Sequence, residues 1–338
     1  MRLHRKVAVL FILVVSIVAC SKVPSFDLFT PFERPSYFPE PGYRLEANPV
    51  TKDGFELGKK LFYDPSLSAD NTISCGSCHI QTAAFTQHGH SVSHGIKDRL
   101  GTRNSQPIMN LAWNTSFLWD GGVFDLDLQP IAPITNHLEM DNTMEEVLKK
   151  LNGNASYRDQ FRKAFGSEEI TGTLFLKALS QFMVMCVSSN AKYDSMRRGE
   201  VSFTEAEQAG YVTFREKCNS CHKEPLFTDH SFRNNGLSIS AVDDKGRFNI
   251  TLNESDKYKF RVPTLRNLSF TPPYMHDGRL LDLEGVLAHY ATGIIQTPNL
   301  DEALKLGIQL TITEKTNLLI FLKTLDDRSF ITDKRFSE

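Results

Sequence analysis

Two short cysteine motifs constrain the fold and chemistry of this chain more than any other feature. "CGSCH" spans residues 75–79 and "CNSCH" spans residues 218–222. Two thiols three residues apart can form thioethers with both vinyl groups of one haem, and the next histidine then reaches the iron as its proximal ligand. The pattern predicts two covalently bound c-type haems. The residues that would hold them are Cys75, Cys78, His79, Cys218, Cys221 and His222.

Two other interpretations of these cysteines are less favoured. A zinc site of four cysteines would not require a histidine after each second cysteine, and a redox-active CxxC pair is expected in a βαβ context that the sequence does not show. Of the two remaining cysteines, Cys186 is interpreted as a lone core thiol, and Cys20 ends the N-terminal apolar segment.

The first twenty residues are typical of an export signal. Basic residues precede an apolar run at 7–15, and a small-residue site follows. The ending at 17–20 resembles a bacterial lipobox, which predicts acylation of Cys20; an ordinary signal peptide or an uncleaved anchor is the alternative. Ser21 after the cysteine favours the outer membrane. Export agrees with haem attachment outside the cytoplasm, so we expect a periplasmic, membrane-anchored lipoprotein.

The rest of the chain is predicted to be mainly α, with two cytochrome c-type haem domains in tandem. A proline-rich stretch at 21–49 is interpreted as an extended tether, followed by an N-terminal domain at 50–198 and a C-terminal domain at 199–338. Apolar residues follow the 3.6-residue period through most of both domains, and strands are expected only as short possibilities around "FNITL" (248–252). A net charge of −2 gives no electrostatic reason to expect nucleic acid.

Several further motifs resemble the bacterial di-haem cytochrome c peroxidases, a family that includes the MauG-type enzymes. The resemblance covers roughly residues 50–330. Besides the two haem motifs, it rests on "GTRNS" (101–105), "FLWDGG" (117–122), "QPIAPITNHLEM" (129–140) and "VPTLRN…TPPYMHDG" (262–278). The resemblance implies a peroxidatic N-terminal haem and a C-terminal haem that handles electrons.

The same resemblance assigns roles to individual residues. Glu139 matches the distal acid–base group, with Gln129 and Pro133 in the same pocket, and Trp119 matches the residue between the haems. Cleavage of the peroxide O–O bond needs a proton removed from the near oxygen and one delivered to the far oxygen, and one carboxylate can do both. The alternatives are that Glu139 is a surface acid near the helix start at "MDNTMEEVL" and that Trp119 is a core aromatic.

A calcium site is also implied by the resemblance. Asn104 matches its side-chain ligand, and Thr271 and Pro273 match ligands that act through their backbone carbonyls. Carbonyl and amide oxygens suit this hard cation. We therefore expect a calcium ion in addition to the haems.

The distal side of the N-terminal haem has two possible states. Gated members of the family place a histidine there until the partner haem is reduced, and His94 in "HGHSVSHGI" matches that residue by position. Other members have an open peroxidatic haem, in which case this histidine-containing loop carries no ligand. The sequence leaves both possibilities open.

For the C-terminal haem the sequence favours tyrosine as the distal ligand. Fourteen residues beyond His276, where many members have methionine, stands Tyr290, as in the MauG-type enzymes. With Asp282 as N-cap, Tyr290 shares a helical face with residues 283, 286 and 287, whereas His289 falls off it. Met275 is the second candidate ligand, and a five-coordinate iron with Tyr290 in the core is the third possibility.

Three functions follow as hypotheses. The first is a peroxidase that reduces hydrogen peroxide with electrons from a small c-type cytochrome or another periplasmic donor. The second is MauG-like oxidation of residues on a partner protein, and the third is a non-catalytic di-haem electron carrier, against which Glu139 and Gln129 argue. Family members are often homodimers, but no surface pattern establishes that state here.

Overall fold

The computed structural model describes residues 29–338. The predicted export signal, Cys20 and the first part of the predicted tether therefore lie outside the described residues. Within 29–338, no helix is long and apolar enough to cross a membrane.

The described chain is mainly helical, as predicted. Its α-helices are α1 (Lys52–Tyr63), α2 (Cys75–Cys78), α3 (Ile131–Thr135), α4 (Met144–Gly153), α5 (Ala155–Phe165), α6 (Gly172–Met185), α7 (Lys192–Arg197), α8 (Glu205–Lys217), α9 (Phe248–Thr251), α10 (Leu283–Ala288), α11 (Ile312–Lys323) and α12 (Arg328–Ile331). Two short strands, β1 (Phe232–Arg233) and β2 (Phe260–Arg261), pair antiparallel.

Local sequence signals explain where the longer helices begin. Thr51 caps α1 by accepting a hydrogen bond from the backbone N–H of Gly54 at 3.1 Å. A capping box of Thr204 and Glu207 opens α8, and a second box opens α11. Each cap satisfies N–H groups that have no partner within the helix.

The expectation of a strand around "FNITL" is wrong. Residues 248–251 form the helical turn α9, which ends at Leu252 with φ at 55°. The backbone N–H groups of Ile250 and Thr251 donate hydrogen bonds to the carbonyl oxygen of Arg247, at 3.0 and 3.1 Å. The guanidinium of Arg247 in turn donates to the carbonyls of Asp120 and Gly121, both at 2.9 Å. This tertiary anchor holds a turn in place where β-branched residues alone favoured a strand.

The first hydrophobic core forms where α1 crosses α6. A Cβ at Gly58 would overlap the carbonyl oxygen of Ala178, so only glycine allows this approach. One turn further along, Phe62 packs on Phe182 with ring centroids 4.8 Å apart. Phe85, which follows the first cysteine motif, closes the group at 6.3 Å from Phe182.

The second core repeats this arrangement where α8 crosses α11. A Cβ at Gly210 would overlap the carbonyl oxygen of Asn317. Phe214 lies 5.2 Å from Phe321, and Phe227, after the second cysteine motif, lies 6.4 Å from Phe321. Each half of the protein therefore has a glycine crossing and three phenylalanines beside its motif.

Three segments differ from the predicted division of the chain. Tyr193 of α7, assigned to the first domain, packs in the second core, whereas Phe330 and Phe336, assigned to the second, pack in the first. The described part of the predicted tether is irregular, but it lies against the body because Phe38 is 2% exposed. The described residues 29–49 therefore pack against the first core instead of extending as a linker.

Candidate active site

The first motif places a histidine ready to bind a metal. Residues 75–78 form the single turn α2, and His79 follows as its C-cap. Nδ1 of His79 lies 2.8 Å from the carbonyl oxygen of Phe85. Because a carbonyl only accepts, Nδ1 carries the proton and Nε2 keeps its lone pair for iron. Burial lowers the pKa of His79, which favours the neutral ring.

The second motif has the same geometry. Nδ1 of His222 lies 3.2 Å from the carbonyl oxygen of Phe227 and 3.1 Å from that of Pro263. Burial lowers the pKa of His222 as well. None of the four motif cysteines pairs in a disulfide within residues 29–338, so their sulfurs are available for thioether bonds.

The cavity beside the first motif, called here the N-terminal cavity, is large. Its volume is about 530 Å³, and Cys78, His79, Gln129, Pro133 and Glu139 all line it. A smaller adjoining space of about 50 Å³ is lined by the same five residues together with Cys75 and His94. The fold thus brings the predicted distal residues together beside the first motif.

Glu139 is held at this cavity by two contacts. Its backbone carbonyl accepts from the N–H of Ile96 at 2.9 Å, and a Cβ at Gly95 would overlap the carbonyl oxygen of Leu138. Its carboxylate accepts from the side-chain nitrogen of Asn136 at 2.9 Å. Burial raises the pKa of Glu139, and the Asn136 hydrogen bond opposes that shift. A carboxyl group with a raised pKa is suited to exchange protons near neutral pH.

His94 lies at the edge of the same site. Its backbone carbonyl is 3.4 Å from the sulfur of Cys78, and its ring lies 4.2 Å from that of His90. The third histidine of this loop, His88, instead contacts the hydroxyl of Thr82 at 3.1 Å. Among the three, His94 is the one that lines the space beside His79.

The cavity beside the second motif, called here the C-terminal cavity, is smaller, at about 220 Å³. Leu283, Val286, Leu287 and Tyr290 all line it together with His222. The predicted helical face is therefore present. A turn of π-helix follows α10 at His289–Gly293, and such turns are frequent at functional sites.

Around Tyr290, the two alternative ligands take different positions. His289 does not line the cavity, and its Nε2 contacts the carbonyl oxygen of Asn235 at 3.0 Å. Met275 lines the cavity, and its sulfur lies 3.5 Å from the side-chain nitrogen of Asn235. Burial raises the pKa of Tyr290, and a hydrogen bond with the Asn235 side chain lowers it. Tyr290 and Met275 are thus both beside the second motif.

Trp119 lies between the two cavities. It lines both of them. Its indole N–H donates to the carbonyl oxygen of Asn104 at 2.9 Å, and its backbone carbonyl accepts from the backbone N–H of Arg261 at 2.8 Å. Gly121 supports this position, since its φ of 68° suits glycine and a Cβ there would overlap the ring of Phe232. The residue predicted between the haems is therefore shared by both sites.

The residues of the predicted calcium site share one cavity. Asn104, Thr271 and Pro273 all line the C-terminal cavity. The side-chain nitrogen of Asn104 donates to the carbonyl oxygen of Ser91 at 3.0 Å, so its amide oxygen is the atom that a cation would use. Among the described residues no group of three or more His, Cys, Asp or Glu side chains could hold a metal, so a cation here would depend on neutral oxygens.

Comparison with known proteins connects this arrangement with an enzyme family. Residues 52–202 match the family model described as di-haem cytochrome c peroxidase. The chain is 36% identical to the methylamine utilization protein MauG of Methylorubrum extorquens, over 87% of this chain and 83% of that protein. This chain belongs to the di-haem cytochrome c peroxidase family. It is also 34% identical to the cytochrome c551 peroxidase of Nitrosomonas europaea, over 85% of this chain and 84% of that protein.

A solved structure gives the same result for the fold. A MauG-like protein associated with microbial copper homeostasis is 33% identical, with a TM-score of 0.83 over 91% of this chain and 99% of that chain. As a member of the di-haem cytochrome c peroxidase family, the protein is a peroxidase-type oxidoreductase, and two c-type haems are the cofactors that the family implies.

One buried side chain tests whether the residues fit such a cofactor. Arg261 is 7% exposed and lines both cavities, and its Nε has no hydrogen-bond partner among residues 29–338. Burial lowers the pKa of Arg261 to about 10. A buried guanidinium without an anion is costly, and a haem propionate would supply the missing charge. The cysteines, both histidines and Arg261 therefore fit this family's cofactor.

Sequence reasoning missed Arg261 and a second charged group beside the N-terminal cavity. Arg103 donates to Asp120 at 2.6 Å and to Asp244 at 2.6 and 2.9 Å, which joins the two halves of the chain. The motif recognised at 262–278 begins one residue after Arg261. Arginine beside such a motif is a usable signal, but its lack of a partner is visible only in the folded structure.

Proposed function

We propose that this chain is a periplasmic, lipid-anchored peroxidase that reduces hydrogen peroxide at the N-terminal site. In this proposal, electrons arrive through the C-terminal site from a small c-type cytochrome or another periplasmic donor. The observation that carries the proposal is the position of Glu139 and Gln129 in the large cavity beside His79. The C-terminal cavity is smaller and has aliphatic side chains and Tyr290 in the corresponding place.

Bound haem would supply the iron at which peroxide is reduced and the redox centre through which the electrons of the donor reach it. The protein supplies the proton transfers. We propose that the Glu139 carboxylate takes a proton from the oxygen nearer the iron and returns it to the farther oxygen, which leaves as water. Its half-buried position and its raised pKa support this role, because the group must hold and release the proton in turn. Gln129 would orient the peroxide by hydrogen bonding.

Trp119 is proposed as the path for electrons between the two sites. Its ring lines both cavities, and the hydrogen bond from Nε1 to Asn104 fixes its orientation. Asn104 is also the proposed side-chain ligand for calcium, with the carbonyls of Thr271 and Pro273. A cation there would hold the indole in place through the same residue.

The test of the proton-transfer role is Glu139→Gln. We expect the first reaction with stoichiometric peroxide to slow by about 10²–10⁴-fold, the usual contribution of a positioned acid–base group. Stopped-flow absorption in the haem bands measures this rate. Glu145→Gln is the matched control, because Glu145 is an exposed acid in the first turn of α4. An unchanged rate in Glu139→Gln would exclude the proposed role.

A second candidate function is MauG-like oxidation of residues on a partner protein with peroxide. Tyr290 beside the second motif favours it, because phenolate is a hard, anionic ligand that stabilises oxidised rather than reduced iron. The similarity to proteins named MauG also supports it. In this function the C-terminal site would share oxidising equivalents instead of storing electrons.

Spectra of Tyr290→Phe distinguish the two functions. Low-temperature EPR and absorption would be recorded for the ferric protein before and after peroxide, with Met275→Leu as the matched variant. A low-spin signal lost in Tyr290→Phe, beside a high-spin haem that reacts at once, supports the MauG-like function. Two low-spin haems that are unchanged and inert until partly reduced support a gated peroxidase with His94 as the distal ligand.

A further inference from the structure

Two phenol groups meet one carboxylate in the second core, outside both cavities. The hydroxyl groups of Tyr193 and Tyr211 donate to the same oxygen, Oε1 of Glu224, at 2.6 and 2.8 Å. Tyr193 is fully buried, whereas Tyr211 is partly exposed and its ring is contacted by the exposed Arg215 at 5.8 Å. The cluster therefore extends from the core to the protein surface.

The buried end of this cluster lies next to the C-terminal haem site. The ring of Tyr193 packs on Phe227 with centroids 4.8 Å apart, and Phe227 is the residue whose carbonyl holds Nδ1 of His222. The rings of Tyr193 and Tyr211 are 6.4 Å apart. A chain of direct contacts thus joins the proposed iron ligand to the surface through two phenols.

We propose that Tyr193, Glu224 and Tyr211 form a relay that carries oxidising equivalents from the C-terminal haem site to the surface, where a phenol is oxidised. The relay rests on the proposed function, because peroxide reduced at the N-terminal site is the oxidant. It adds a surface at which an aromatic donor gives up one electron at a time, separate from the cavity that admits peroxide.

Each transfer balances in protons and electrons. One electron leaves Tyr211 and passes inward through Tyr193 to the oxidised C-terminal site, while the O–H bond of Tyr211 breaks and its proton moves to the Glu224 carboxylate. An external phenol then gives one electron to the Tyr211 radical, and the Glu224 proton returns to the Tyr211 oxygen, which restores the O–H bond and the carboxylate. The proton of the external phenol passes to solvent. Two such turns supply the two electrons that one hydrogen peroxide takes as it forms two waters.

The two cores differ in the side chains that pack beside the phenylalanine following each cysteine motif. In the first core, the neighbours of Phe85 include Phe330, at 5.6 Å, and Phe336, neither of which can be oxidised at an O–H group. In the second core the neighbour of Phe227 is a phenol with a carboxylate in hydrogen-bonding reach. Burial and this carboxylate also raise the pKa of Tyr211 to about 12, so the phenol is protonated at neutral pH and its oxidation requires a proton acceptor.

The experiment uses the full di-haem protein and adds one equivalent of hydrogen peroxide to its ferric form. Freeze-quenched EPR detects a tyrosyl radical, and fluorescence follows the coupling of N-acetyltyrosinamide as the phenol probe. The variants are Tyr211→Phe, Tyr193→Phe and Glu224→Gln. Tyr157→Phe is the matched control, because Tyr157 also donates to a carboxylate, that of Asp64, but packs in the first core.

We expect the wild type and Tyr157→Phe to give the tyrosyl signal and to couple the probe, and each relay variant to lose both. Peroxide consumption with reduced cytochrome c should be unchanged in Tyr211→Phe, which shows that the variant is folded. Peroxide consumption with no tyrosyl signal in the wild type, or a signal that survives in Tyr211→Phe and Tyr193→Phe, overturns the relay alone. A wild type that does not react with peroxide in any redox state overturns the proposed function and the relay with it.

Discussion

The two halves of the protein hold their motif histidines in the same frame of residues but place different side chains around them. Each frame consists of a glycine helix crossing, three phenylalanines and a backbone carbonyl that holds Nδ1 of the motif histidine. The N-terminal frame opens into a cavity of about 530 Å³ with a carboxylate and an amide, whereas the C-terminal one opens into about 220 Å³ with Tyr290 and aliphatic side chains.

The two halves thus differ outside the part that holds the motif histidine. The frame only fixes the proximal histidine, and it is nearly the same on both sides. In the proposed function, the two roles depend on the loops around each motif: the turn before α4 brings Glu139, and the π-helical turn after α10 brings Tyr290. A site with a carboxylate suits proton transfer to peroxide, and a site lined by aliphatic side chains and Tyr290 suits electron transfer.

The strongest test of this asymmetry removes one haem at a time. The paired variants are Cys75→Ala/Cys78→Ala and Cys218→Ala/Cys221→Ala, and haem content should fall from two to one in both. Only the first pair should lose the reaction with the first equivalent of peroxide, because Glu139 serves only the N-terminal cavity. Haem content and stopped-flow absorption measure these effects. A peroxide reaction that survives in the first pair and is lost in the second would reverse the assignment.

The shared frame can be tested at its two crossings. Gly58→Ala and Gly210→Ala each place a methyl group against a backbone carbonyl, and each should reduce the free energy of unfolding by about 1–3 kcal/mol. Gly153→Ala is the control, since no atom lies within 4 Å of its added Cβ. Thermal and denaturant unfolding measure the losses. If one crossing tolerates alanine as well as Gly153 does, the two frames are not equivalent.

The smallest effect concerns the pKa of Glu139. Asn136→Ala removes a hydrogen bond that lowers this pKa, so the pKa should rise further. As the pH falls, the Glu139 carboxylate then becomes protonated at a higher pH than in the wild type. The acid limb of the peroxide reaction should therefore move upward by up to about one pH unit, the equivalent of one hydrogen bond of about 1.4 kcal/mol. Rates measured against pH test this. A downward shift, or the same shift in a Glu139→Gln background, would contradict it.

Much of this protein was predictable from its sequence because the relevant signals are local. The thiol and histidine spacing of each motif and the apolar face with Tyr290 both act within a few residues of chain. Sequence reasoning failed at "FNITL", where Arg247 anchors a helical turn through contacts with residues 120 and 121, far away in the chain.

Only the tertiary structure decided what lies around each histidine. Arg261 became a charge without a partner once folding buried it between two cavities, and Tyr193 joined the second core although it precedes α8. Tyr193 and Tyr211, which donate to the same carboxylate of Glu224, lie 31 and 13 positions from it in the chain. Burial and packing between distant segments set cavity volume and charge balance, and these are properties of the folded chain rather than of any local stretch.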